Sequence, residues 1–165
     1  MSKEASAAEV AGGKLIGSAD RRDFVSVTIA DQVFGIPVLQ VQDVLGTQRI
    51  TRIPLAPAEV AGSLNLRGRI VTAIDIRIRL KLPPRPEGRQ AMSVVVDHGG
   101  ELYSLLVDSV GEVLSLKADD AERNPATLDP IWREVSAGIF RLDGNLLVVL
   151  DVAKVLDFSA RAAAA

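Results

Sequence analysis

FVSVTIADQVFGIPVLQVQDVL, residues 24–45, and SVVVDHGGELYSLLVDSVGEVL, residues 93–114, carry the same succession of apolar positions. With the chain shifted by 69 residues, Val25, Val27, Phe34, Ile36, Val38 and Val41 fall on Val94, Val96, Tyr103, Leu105, Val107 and Val110, and Asp43 falls on Glu112. A shift of 76 lays GSLNLRGRIVTAIDIRIRL, from Gly62, over GIFRLDGNLLVVLDVAKVL, from Gly138, so that Gly62, Leu66, Gly68 and Asp75 meet Gly138, Leu142, Gly144 and Asp151. A longer central loop around residues 117–130 absorbs the difference between the two shifts. The chain is a duplication.

The period-2 alternation of VSVTI and of its counterpart is that of half-buried strands. Turn signals bound them: His98-Gly99-Gly100 separates AMSVVV from ELYSLLV, and Asp143-Gly144 separates GIFRL from NLLVVL. Asp-Gly is the composition of a type I′ hairpin turn, with positive φ at both central residues. Each half therefore reads as strand, turn, strand, a V-x-[DE]-V-L turn or strand, a loop, a hairpin and a closing amphipathic helical turn. Asp75 and Asp151 sit where N-caps belong, between an apolar strand and that last turn. About five short strands in about 60 residues suit a small barrel, whose closure removes exposed edges. A unit of that size is marginal alone, so two barrels packed on a shared core are expected. The predicted class is mainly β, with short helices.

Expected boundaries are a flexible N-terminal tail over 1–21, one domain over 22–158 with halves at about 24–80 and 93–157, and a flexible tail over 159–165. The 165 residues include no Cys and one His, so thiolate chemistry, a Cys-rich zinc site and disulfides are excluded. No phosphate-binding, dinucleotide-binding, zincin or hydrolase motif appears. His98 is expected as an exposed turn residue, and Asp119 and Asp120 as a solvated surface. No catalytic residue, cofactor or metal is expected. With no apolar run of about 20 residues and no secretory h-region, the reading is a soluble cytoplasmic protein without direct membrane insertion.

The net charge of −2 hides a segregation. Residues 49–89 hold nine basic side chains against three acidic ones, and residues 97–157 hold twelve acidic against five basic. Such asymmetry can steer oriented association. A basic stretch on a small barrel also permits a nucleic-acid reading, but none of the six aromatic residues lies within it, so a stacking platform is missing. Arg67 stands out because it occupies a hairpin turn that does not ask for Arg. A directed, multi-donor side chain in such a place is a candidate contact.

The segment GSLNLRGRIVTAIDIRIRLKLP, with N-L-R-G from Asn65 to Gly68 and I-D-I-R ending at Arg77, resembles CheW, the coupling protein family of bacterial chemotaxis. GIPVLQVQDVL (Gly35 to Leu45), TRIPLAPAEVAG (Thr51 to Gly62), LLVDSVGEVLSL (Leu105 to Leu116) and LLVVLDVAKVL (Leu146 to Leu156) support it. The resemblance implies two five-stranded, SH3-like barrels on a shared core, with a chain that can cross between them. It implies a non-catalytic adaptor, monomeric when free, that links the cytoplasmic tips of methyl-accepting receptors to the regulatory domain of the histidine kinase CheA and builds arrays at the membrane. Val41 and Asp43 match the family's kinase-contact motif, Asp standing where Glu is commoner. Gly62 and Arg67 match the coupling and receptor-contact element, and Val94 and Val113 match apolar positions near the receptor groove, with core packing as the alternative for both valines. A CheW-like scaffold of a non-flagellar chemosensory pathway is the alternative function.

Overall fold

The computed structural model describes residues 20–157. Most of the two expected tails, the Phe158 boundary included, falls outside them. Ten strands form: β1 (Arg21–Ile29), β2 (Gln32–Pro37), β3 (Val41–Leu45), β4 (Val60–Leu66), β5 (Arg69–Asp75), β6 (Met92–His98), β7 (Glu101–Val107), β8 (Ser109–Lys117), β9 (Ser136–Leu142) and β10 (Asn145–Leu150). Three short helices join them, α1 (Ile76–Arg79), α2 (Pro130–Val135) and α3 (Val152–Val155). Asp75 and Asp151 cap α1 and α3 as expected, accepting from the amides of Arg77 and Lys154. The V-x-[DE]-V-L segments are strands. The extra central residues of the second half include α2, capped by Asp129, whose Trp132 ring lies edge-on to Phe34 at 5.5 Å between centroids.

The strands make two five-stranded sheets, ordered β8-β1-β2-β10-β9 and β3-β6-β7-β5-β4. Under the duplication β1, β2, β3, β4 and β5 correspond to β6, β7, β8, β9 and β10, so the two orders are the same order. Each sheet takes two strands from one half and three from the other. The halves meet at four pairs: two parallel ones, Phe34 opposite Val148 and Thr72 to Asp75 opposite Tyr103 to Leu106, and the antiparallel β1–β8 and β3–β6 pairs. Every other neighbouring pair is antiparallel.

Alternation decides what is buried. Val25, Val27, Ile29, Phe34 and Ile36 of one sheet meet Ile74, Val94, Val96, Leu105 and Val107 of the other in a common core that also takes in α1, α2 and α3. Each sheet also keeps a smaller cluster inside its own curl: Phe24, Phe140, Leu147 and Val149 in one, Leu64, Val71, Ala73 and Leu106 in the other. The curl is drawn toward closure by one backbone bridge in each sheet. Thr51 and Ser63 exchange hydrogen bonds at 2.8 Å each, and Glu122 and Ile139 do so at 2.8 and 2.9 Å.

The turns depart from expectation in one respect. Asp143-Gly144 does link β9 to β10 with Leu142 opposite Asn145, but only Gly144 has positive φ, so the turn is not type I′. Arg67 and Gly68 are the pair with positive φ at both positions, 52° and 84°, and Ala30 and Asp31 are another, at 50° and 70°. Gly99-Gly100, a turn the sequence did signal, also has positive φ at both positions, 63° and 84°, between the paired His98 and Glu101.

Candidate functional site

The β4–β5 turn is shaped before any partner is considered. Asn65 Oδ1 accepts from the Gly68 amide at 3.0 Å, which holds the N-L-R-G element in its left-handed turn. Arg67 is thereby lifted off the sheet with its side chain 74% exposed. Its Nη2 donates to Asp43 Oδ2 at 2.8 Å, and Asp43 Oδ1 accepts from the Val44 amide at 2.9 Å. The Arg67 guanidinium, followed by that amide, holds the Asp43 carboxyl below the usual carboxylate range. β3 and β4 are the two outer strands of their sheet, so the ion pair spans its open seam, beside the Thr51–Ser63 bridge.

Two of the sequence-predicted residues, assigned by resemblance to different partners, are thus bonded to each other. The other half of the duplication has Glu112 and Asp143 at these positions, two acids that cannot pair. Nothing in the sequence orders said that the strands carrying positions 43 and 67 face one another. The charge complementarity present in one half and absent from the other was the only available signal.

The remaining four take different places. Val41 is half-buried on β3, packed against the common core, with a bulge between it and Asp43. Gly62 is buried on β4 with φ 149°; a Cβ there would lie 2.2 Å from the Thr51 carbonyl oxygen, so glycine is demanded by the bridge and its side chain offers no contact surface. Val94 has no exposed surface and belongs to the common core, the packing alternative for this position. Val113 is 59% exposed on β8, an outer strand of the other sheet. Asp43 and Arg67 come together, with Val41 and Gly62 on the same sheet, and Val113 stands apart.

The basic stretch is also less cationic than its composition. Arg77 and Arg79 are buried and Arg85 nearly so. Arg77 binds Asp108 by a fork, Nε to Oδ1 at 2.9 Å and Nη2 to Oδ2 at 2.6 Å, and also donates to the carbonyls of Pro83 and Pro84. Arg85 adds a bond to Asp108 Oδ1 at 3.1 Å, and the Ala30 amide donates to Oδ2 at 2.8 Å. These donors, Arg77 first, lower the Asp108 carboxyl to about 2. Arg79 donates to the carbonyls of Val155 and Lys154, closing the C-terminus of α3. Three of the nine basic side chains are therefore structural cross-links between halves, which weakens a phosphate-binding reading of that stretch. The sequence hid them because Arg77 and Arg79 alternate with apolar residues in a four-residue helix, too short to show which face is inside.

His98, Asp119 and Asp120 are exposed. Among the described residues no group of three or more His, Cys, Asp or Glu is placed to hold a metal, and no helix is long and apolar enough to cross a membrane.

A family model described as CheW-like domain matches residues 23–160. The chemotaxis protein CheW of Klebsiella aerogenes is 30% identical over 143 residues, covering 87% of this chain and 86% of its own length. That of Helicobacter pylori is 27% identical over 154 residues, covering 93% and 90%. The crystal structure of the scaffolding protein TtCheW from Thermoanaerobacter tengcongensis superposes with a TM-score of 0.74 at 25% identity, covering 82% of this chain and 92% of that one.

Proposed function

The chain belongs to the CheW-like domain family, and on that premise we propose that it couples methyl-accepting chemoreceptors to the histidine kinase CheA, so that receptor state controls autophosphorylation. Its relatives are chemotaxis proteins and a scaffolding protein, and its role is that of a chemotaxis adaptor. In this reading the chain performs no chemistry and is recruited from the cytoplasm to membrane receptor arrays. It presents one surface to a helical receptor tip and another to the kinase's regulatory domain, itself a structural relative.

The observation that carries the reading is the Asp43–Arg67 pair. It joins the two elements that the resemblance associates with the kinase and with the receptor, and it lies on an exposed seam where the two halves of the chain differ. Val41 and Asp43 are assigned to the kinase face, and Arg67 and Val113 to receptor contact and coupling. Gly62 and Val94 act by position: Gly62 lets the 46–59 loop lie against β4, and Val94 holds β6 in the core. The domain is proposed to span 22–158 and to be monomeric when free.

Reconstitution tests this. Purified receptor fragment and CheA are expected to show kinase stimulation only when the chain is added. Arg67→Ala is expected to weaken assembly by about 5- to 30-fold, the usual loss for an interfacial Arg. Unchanged kinase activity on addition of the native chain overturns the proposal.

A further inference from the structure

The duplication lets the interiors of the two sheets be compared position by position. Phe24, Phe140, Leu147 and Val149 fill the curl of the β8-β1-β2-β10-β9 sheet, with the two phenylalanine ring centroids 5.4 Å apart. Their counterparts under the two shifts are Ser93, Leu64, Val71 and Ala73, each of them smaller. Phe24 has its room because Gly35 lies beneath it, where a Cβ would come within 3.2 Å of Phe24 and Leu147. The counterpart of Gly35 is Ser104. Ser93 lies opposite Leu106, and Ser104 stands two residues before Leu106 on the same strand, so both serines enter the inner cluster of the β3-β6-β7-β5-β4 sheet. They are 1% and 0% exposed, and neither hydroxyl has a hydrogen-bond partner among the described residues. Ile50, at the place of Ala121, returns only part of the lost apolar packing.

The outer strands differ in the same direction. Ile139 of β9 is wholly buried in the common core, whereas its counterpart on β4 is Ser63, which is not. β3 and β4 reach that core only through the half-buried Val41 and Val60. We propose that the β3-β6-β7-β5-β4 sheet opens locally along its β3–β4 seam while the common core and the other sheet stay closed. Smaller apolar side chains bury less surface, and a buried hydroxyl without a partner loses its hydration uncompensated, so both differences lower the cost of opening. The Asp43–Arg67 pair does not prevent it, because Arg67 is largely exposed and exposed ion pairs hold little. That pair therefore stands on the more yielding of the two sheets.

Amide hydrogen exchange in the full chain tests this at matched groups. The bridge amides of Thr51 and Ser63 and those of Glu122 and Ile139 all bond at 2.8 to 2.9 Å, so bond length predicts no difference between the sheets. Corrected for intrinsic rates, Thr51 and Ser63 are expected to exchange roughly tenfold faster or more, with a urea dependence shallower than that of global unfolding. Ser93→Ala combined with Ser104→Ala is expected to slow them about fivefold or more, since it removes the unbonded hydroxyls from the closed state. Equal exchange at the two bridges of the native chain overturns the proposal, as does a urea dependence at Thr51 and Ser63 as steep as global unfolding. Unchanged exchange of these two amides in the double alanine variant overturns it too. The measurement is made on the free chain, so its outcome is independent of the adaptor role.

Discussion

Arg67 keeps a left-handed backbone angle that non-glycine residues adopt at a cost on the order of 1 kcal/mol. Asparagine would satisfy the turn more easily, so the turn alone does not explain the arginine. Arg67→Asn is accordingly expected to leave thermal unfolding within a few degrees of the native chain while abolishing most kinase stimulation; a matching loss of both would make the residue structural. Asp108 is the opposite case. Its carboxyl is lowered from 3.8 to about 2 because two guanidinium groups and an amide bond it. A lowered folded-state value adds stability that is complete above the unfolded value, near 4, and is lost as pH falls toward 2. At neutral pH the linkage amounts to about 2 kcal/mol. Asp108→Asn is expected to destabilise by about 3 kcal/mol in urea titration at pH 7, since Arg77 stays buried without its forked carboxylate and Arg85 keeps only Asp75, at 3.9 Å. The difference from the native chain should shrink below pH 4.

Hairpins, caps and bridges form the next scale, and here the two halves behave as matched controls. Gly62 and Gly138 both stand at a bridge with large positive φ, 149° and 138°, but the contacts that a Cβ would make differ, 2.2 Å against 3.0 Å from a carbonyl oxygen. Gly62→Ala is expected to lose on the order of 3 kcal/mol and Gly138→Ala about 1 to 2, measured by the same denaturant titration; equal losses would mean that φ alone governs both. The elements themselves were readable in the sequence. Strand periodicity, the glycine turns and the capping aspartates depend on residues a few positions apart, and all three appear where expected. The types of the β4–β5 and β9–β10 turns were not readable, because Arg67-Gly68 takes both positive angles with Asn65 and Asp43 bonded to it, whereas in Asp143-Gly144 only the glycine does.

For the whole molecule the decisive fact is the exchange of strands. Neither sheet can form from one half of the sequence, since β1 and β2 need β8, β9 and β10, and β6 and β7 need β3, β4 and β5. A fragment of residues 20–88 is expected to show no cooperative thermal transition by circular dichroism, and to regain one when mixed with 89–157; a cooperative melt of either fragment alone would contradict the shared core. The sequence by itself determined the class, the duplication, the strand and cap positions and the family resemblance, because each is written in short-range spacing or in direct comparison of the chain with itself. Only the tertiary structure decided that Asp43 and Arg67 bond, that Arg77, Arg79 and Arg85 are internal cross-links and that Val94 is core. These depend on which distant strands lie side by side. Two parallel pairs, the antiparallel β1–β8 and β3–β6 pairs and two backbone bridges fix that arrangement, and no local pattern of residues encodes it.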